Sequence, residues 1–312
     1  MKEPWFWHSD SITARVITTA LQPIAALYQF GYRIRTHIAR PKETEIPIVC
    51  IGNATLGGTG KTPFALTLQR ALSLNGIETH FLTRGYGGSI REPVRVDLAS
   101  HRASDVGDEA MLLAKQAPTW VGADRNTAVR MAAKSGARLA VMDDGLQNPT
   151  IKKAYSILLH DGSTARAHLF PAGRYREPPA SARNRVNREV HVGQAGDARL
   201  IPTTQIPHER YIAFCGIGSP ANFFATLHDA GHTVVETVSF PDHYPFHEKD
   251  MIALAARAKN QNAKLITTEK DFIRIPDKFH DVVTVLRIVM EIDEIDTIVA
   301  DILKCIDVGD QK

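Results

Sequence analysis

Apolar residues recur along this chain at two different periods, and the alternation between those periods predicts its elements. Near the start, Ile12, Val16, Ala20, Ile24, Leu27 and Tyr28 return at helical spacing, with Ile17 and Leu21 widening the stripe. Ser9 or Asp10 is placed to cap that helix. From residue 46 a short apolar, β-branched run ends at Ile51, as a buried strand does. Phe64, Leu68, Ala71 and Leu72 then give a helical face, stopped by Asn75-Gly76. Strands follow at 77–83, 138–142 and 155–159, with helices between them. The pattern lapses over 163–187. A second series then sets strands at 212–215, 233–238, 264–267 and 282–288 beside helices near Phe223, at 248–260 and at 292–305. Strand and helix alternating at this length predict an α/β fold with a mostly parallel sheet covered on both faces. The pattern divides as 1–45, an N-terminal amphipathic helix; 46–187, a larger lobe; and 188–312, a second, smaller α/β lobe.

Between the first strand and its helix lies Thr55-Leu56-Gly57-Gly58-Thr59-Gly60-Lys61-Thr62. Strand, glycine-rich turn and helix in this order form a phosphate loop, the mark of a P-loop NTPase-like lobe. Glycines let backbone N–H groups close on phosphate oxygens, and the helix N-terminus adds positive potential. Lys61 is placed to reach the β- and γ-phosphates, and the Thr62 hydroxyl to bind Mg²⁺. Thr55 stands where the general pattern has glycine.

Other residues carry two readings each. Asp108 and Glu109 open a helix, where acids suit the dipole; alternatively, one is a base beside the phosphates. Arg125 either faces phosphate or makes a surface ion pair. Asp143 and Asp144 end a strand downstream of the phosphate loop, where a metal-holding acid sits; an Asp-Gly turn is the alternative. His243 follows Asp242 at a strand end, as a base, an orienting group or a surface residue. Gly216-Ile217-Gly218 lacks the third glycine of a dinucleotide turn.

Composition narrows the partners. The 312 residues carry a net charge of +3, too little to argue for nucleic acid. Three separated cysteines form neither a disulfide framework nor a metal site, which fits a reducing cytosol. The stretch from Val16 to Tyr32 holds 17 uncharged residues. At ~1.5 Å each they fall short of a ~30 Å hydrocarbon core. The start lacks the basic region of a signal peptide. Trp5, Phe6 and Trp7 before the apolar face, and Arg33, Arg35 and Arg40 after it, suit a helix lying in a membrane interface. A helix packed on the protein's own core is the alternative.

Taken together, Gly52-Asn53 with the phosphate loop through Pro63, Arg84-Gly85-Tyr86-Gly87, Val106-Gly107-Asp108-Glu109, Asp124-Arg125, Asp143-Asp144-Gly145-Leu146-Gln147, Pro171-Ala172-Gly173 with Arg176-Glu177-Pro178, Gly216-Ile217-Gly218, Phe240-Pro241-Asp242-His243 and Thr268-Glu269-Lys270-Asp271 resemble the tetraacyldisaccharide 4'-kinases, the lipid A 4'-kinases of Gram-negative bacteria. The resemblance spans nearly the whole chain. Asn148-Pro149 and Arg174-Tyr175 depart from the family's usual residues. The resemblance implies transfer of the ATP γ-phosphoryl group, with Mg²⁺, to the 4'-hydroxyl of a tetraacylated disaccharide 1-phosphate. It also implies peripheral attachment to the cytoplasmic face of the inner membrane. It casts Lys61 and Thr62 as phosphate and metal holders, Asp143 and Asp144 as metal-side acids, and Asp108 as the base supported by His243. Arg125 and Glu177 would line the reaction site. It leaves the oligomeric state open. A regulatory GTPase fits less well, because Lys270 and Asp271 are adjacent and no [NT]-K-x-D motif occurs. A membrane-docking protein with a dead nucleotide site conflicts with an intact Lys61, Thr62, Asp143 and Asp144.

Overall fold

The computed structural model describes residues 4–161, 168–203 and 206–307; residues 163–167 of the patternless stretch therefore lie outside it. The elements in chain order are α1 (Ile12–Ile38), β1 (Ile48–Asn53), α2 (Lys61–Leu74), β2 (Thr79–Thr83), β3 (Val94–Arg95), α3 (Ala103–Val106), α4 (Asp108–Ala114), β4 (Thr119–Val121), α5 (Arg125–Lys134), β5 (Leu139–Asp143), β6 (Tyr155–His160), α6 (Pro179–Arg183), β7 (Arg188–His191) and β8 (Ala198–Pro202). They continue with β9 (Arg210–Cys215), α7 (Pro220–Asp229), β10 (Thr233–Ser239), α8 (Glu248–Asn260), β11 (Lys264–Thr268), α9 (Glu269–Phe272), β12 (Val283–Leu286), β13 (Ile288–Ile292) and α10 (Ile295–Asp307).

The first sheet runs β3-β4-β2-β5-β1-β6-β7 and is parallel except where β3 meets β4. β1 lies near its middle with every residue buried, which is why its sequence is apolar without alternation. The second sheet, β10-β9-β11-β12, is wholly parallel. β8 and β13 pair antiparallel as a two-stranded ribbon.

The sheets do not divide at residue 188. β7 pairs with β6 and extends the first sheet. The expected strand at 282–288 is two strands: β12 belongs to the second sheet, while β13 turns back to the ribbon. α10 then packs on α2, so that Ile298, Val299 and Ile302 share one core with Phe64, Leu68, Leu72, Met290 and Ile292. Local apolar spacing carries no record of which sheet a strand joins. The second lobe has its own core around Ile212, Phe214, Phe246, Met251 and Leu254.

α1 is capped by neither expected residue. Ser11 accepts from the Ala14 N–H at 3.2 Å, and Ser9 is turned to Ser11. Ala14, Thr18, Ala25 and Gln29 face inward, while Ile12, Val16, Ile24, Leu27, Phe30 and Ile38 are exposed. Among the described residues no helix is long and apolar enough to cross a membrane.

Ile302 tests the return of the C-terminal helix. Ile302→Ala removes a fully buried side chain that supports α2, and should cost about 2–5 kcal/mol in equilibrium urea unfolding. A loss below ~1 kcal/mol would mean that α10 adds little to the first lobe's core.

Candidate active site

The phosphate loop is held from both ends. Gly60 has a φ of 78°, a conformation that favours glycine, and a Cβ there would also press on the Met290 methyl at 2.6 Å. α2 starts at the next residue, which puts Lys61 and Thr62 on its first turn. Lys61 Nζ donates to Asn53 Oδ1 at 3.1 Å and lies 3.8 Å from Asp144. At the other end the Leu56 N–H donates to the Arg174 carbonyl at 2.7 Å, and the Asn53 amide donates to the Thr55 hydroxyl. Thr55 and Leu56 thus anchor the loop, while the run from Gly57 to Thr62 forms its cradle. Arg174 and Tyr175, doubtful as site residues by sequence, brace it through their backbones.

The acid pair sits beside the loop at the end of β5. The Thr62 hydroxyl donates to Asp143 Oδ2 at 2.9 Å. Asp143 Oδ1 is buried without a hydrogen-bond partner, as is the Thr59 hydroxyl. Burial pushes the Asp143 carboxyl well above the usual carboxylate range, and the Glu109 charge adds to that. A buried anionic oxygen with no donor fits a cation. Asp144 has a φ of 53° and pairs with Arg176 at 3.0 Å. Burial raises its pKa, but Lys61 and Arg176 outweigh that and leave it lowered. Among the described residues no group of three or more His, Cys, Asp or Glu could hold a metal unaided. Mg²⁺ on a nucleotide needs only one or two carboxylates, with phosphates and water completing its shell. Thr62, Asp143 and Asp144 fit that requirement.

Arg125 is buried nearby and donates to the Gly122 carbonyl at 2.9 Å. Burial and the charge of Arg84 bring its pKa down to about 10, against the pull of Asp144 and Asp143.

The second lobe closes over this site. A Cβ on Gly218 would lie 3.7 Å from the Gly58 N–H. Asp108 opens α4, is 3% exposed, and has His243 Nδ1 3.1 Å from both its oxygens. Its carboxylate only accepts, so His243 Nδ1 donates. Lys270 and Arg274 stand 3.8 and 3.7 Å from Asp108. Burial would raise the Asp108 pKa, but His243, Lys270 and Arg274 more than offset it and hold it at about 2. Lys270 also reaches Glu109 at 3.1 Å. His243 itself has a φ of 58°, its N–H donates to the Gly216 carbonyl at 3.0 Å, and Asp242 stands 3.7 Å from its Nε2.

Glu177 lies elsewhere in the network. It is fully buried and is bound by Gln147 at 3.0 Å, by Arg185, and by the Tyr32 hydroxyl of α1 at 3.4 Å. Gln147 also donates to the Asn53 carbonyl at 2.8 Å, which ties Glu177 to the root of the phosphate loop. Sequence reasoning gave no role to Asn53, Arg176, Lys270 or Arg274. The first three lie inside the motif blocks; only the three-residue spacing from Asp271 marks Arg274.

Arg274 joins two buried acids, Asp271 and Asp108. Arg274→Met should destabilise the protein by about 3–5 kcal/mol at neutral pH, because both acids lose a cation. Burial already raises the Asp271 pKa. Protonation at falling pH relieves the unpaired charge, so the gap to wild type should narrow as the pH drops. A gap that stays constant in urea unfolding from neutral to acid pH would refute the ionic role.

The chain matches the family model LpxK, tetraacyldisaccharide-1-P 4'-kinase, over residues 17–306. It is 42% identical to a tetraacyldisaccharide 4'-kinase of Parvibaculum lavamentivorans, with 88% of this chain and 87% of that one covered. It is 39% identical to that of Rhodospirillum centenum, over 96% and 95%. Its fold matches a crystal structure of LpxK from Aquifex aeolicus in complex with ATP, at a TM-score of 0.75 and 22% identity, covering 93% of this chain and 99% of that one. The chain belongs to the tetraacyldisaccharide-1-P 4'-kinase family.

Proposed function

We propose that this chain transfers the γ-phosphoryl group of ATP to the 4'-hydroxyl of a tetraacylated glucosamine disaccharide 1-phosphate, working at a membrane surface. The reading is carried by one observation: a phosphate loop and a carboxylate–imidazole pair drawn from opposite lobes meet in one cleft. Phosphoryl transfer needs positioned oxygens and neutralised charge more than covalent chemistry. Lys61 and the N–H groups of residues 57–62 bind the phosphates. Thr62, Asp143 and Asp144 hold Mg²⁺, which when bound neutralises charge on the phosphate oxygens. Arg125 adds a fixed positive charge on that side.

Asp108 accepts the proton of the sugar hydroxyl as the hydroxyl bonds to phosphorus. With its pKa at about 2 it is ionised at every working pH, so its task is to align the hydroxyl and to take the proton only as that proton becomes acidic. His243 orients Asp108 from the second lobe. Glu177, bound on all sides, positions Gln147 and Arg185 and does not touch the reacting atoms.

The exposed apolar face of α1 supports the membrane part of the reading. Ile12, Val16, Ile24, Leu27, Phe30 and Ile38 lie in the open beside Trp5, an apolar area that monomeric proteins seldom leave to water. A four-chain lipid would otherwise have to be drawn into water at about 0.8 kcal/mol per CH₂.

Two outcomes follow. If Asp108 and His243 act as one unit, Asp108→Ala and His243→Ala should each lower kcat by roughly a hundredfold or more, and the double variant should be little worse than the poorer single. Losses that multiply would separate them. Val16→Ser, Ile24→Ser and Leu27→Ser together should release the protein from anionic liposomes and lower turnover on vesicle-borne lipid, with ATP affinity unchanged. Wild-type liposome binding in the triple variant would leave α1 a purely structural helix.

A further inference from the structure

The phosphate loop leaves β1 along a short ladder of two rungs. The Arg176 N–H donates to the Ala54 carbonyl at 2.8 Å, the Leu56 N–H donates to the Arg174 carbonyl at 2.7 Å, and Thr55 stands opposite Tyr175 between them. In a regular antiparallel pair, opposed residues exchange both backbone bonds. Here the Leu56 carbonyl accepts from a side chain: Arg174 Nη2 donates to it at 3.1 Å. One residue therefore grips Leu56 twice, its N–H through a carbonyl and its carbonyl through a guanidinium. Arg174 is 7% exposed. The same Nη2 donates to Asp161 Oδ2, one residue past the end of β6, the strand beside β1. The turn that carries Arg174 is tight. The Gly173 N–H donates to the Leu169 carbonyl at 3.0 Å, and a Cβ on Gly173 would fall 2.4 Å from the His168 carbonyl oxygen. The guanidinium is thus fixed at both ends.

The two backbone rungs form with any side chain at position 174, so they do not account for a buried guanidinium, which is costly to take from water. What the guanidinium adds is direction. The C=O and N–H of one trans peptide point opposite ways. Holding the Leu56 oxygen therefore fixes where the Gly57 N–H points. Gly57 turns there with a φ of 104°, and a glycine by itself leaves that peptide free to rotate. We infer that Arg174 is a positioning residue for ATP: its side chain sets the tilt of the Leu56–Gly57 peptide and so aims the first N–H of the cradle before the nucleotide arrives. Arg174 does not touch the phosphates. The inference rests on the proposed binding of phosphates by residues 57–62 and adds the side chain that keeps that cradle formed. Without it the loop samples other tilts, and ATP affinity falls with the fraction of molecules whose cradle is in place.

The test is equilibrium binding of Mg·ATP without lipid, and of the tetraacyldisaccharide 1-phosphate in neutral detergent micelles without ATP. Wild type, Arg174→Met and Arg174→Lys are compared. Methionine keeps the bulk and both backbone rungs but removes the donors. Lysine keeps a charge for Asp161 but loses the planar fork, and it preserves the test if the methionine variant does not fold. Arg174→Met should weaken ATP binding roughly tenfold, the worth of one charged hydrogen bond, with lipid affinity unchanged. Arg174→Lys should fall between methionine and wild type. Wild-type ATP affinity in either variant would overturn the inference. So would equal weakening of ATP and lipid, which marks a residue that merely supports the fold. Turnover separates this from the kinase reading. If wild type binds ATP through Arg174 but phosphorylates no lipid, the kinase reading falls and the positioning role stands. If transfer is intact and Arg174→Met binds ATP as wild type does, the positioning role falls and the kinase reading stands.

Discussion

A carboxylate stays ionised inside a protein only if positive charge is brought close to it. Asp108 is nearly sealed from water, and its own lobe supplies no such charge among its close partners. His243, Lys270 and Arg274 all come from the second lobe. Docking of the lobes and ionisation of Asp108 are therefore one event. The same three side chains are fixed in turn by Asp242, Glu109 and Asp271, so the interface alternates acids with nitrogen donors.

The phosphate-loop side has the opposite need. Asp143 is buried beside Thr62 with an oxygen left over, and Asp144 is held between Lys61 and Arg176. On one side of the cleft three side chains of the second lobe crowd a buried carboxylate, and on the other the Asp143 carboxyl keeps a buried oxygen with no donor. On that difference rests the proposal that one aspartate accepts a proton and the other holds a metal. Burial raises both; only the neighbours differ.

The sequence exposed the parts that depend on local chemistry. Gly60, Lys61 and Thr62 are legible because a tight turn before a helix needs those residues in that order. The α/β class is legible because fully buried strands such as β1 read as unbroken apolar runs. The partnership of Asp108 with His243 was reached through family resemblance: 135 positions separate them, and no periodicity links them. Arg274 stayed hidden for the same reason, and so did the passage of β13 and α10 back to the first lobe. The cap at Ser11 was missed by one or two residues, which is the resolution that side-chain capping allows when Ser, Asp and Ser follow one another.

The patternless stretch after β6 has a physical explanation. Its described residues bury few apolar side chains because they are fastened by polar contacts to elements on either side. Phe170 lies against Trp7 and Tyr28 of the N-terminal segment, while Arg174 and Arg176 hold the phosphate loop and Asp144. Hydrogen bonding of this kind leaves no hydrophobic period to read. It also sets a constraint on α1. Gln29 binds the backbone of Arg176, and Tyr32 binds Glu177, so two consecutive residues carry the position of α1 into the site. A helix with one face open to solvent and the other fastened this way cannot shift along its axis without moving the partner of Asp144.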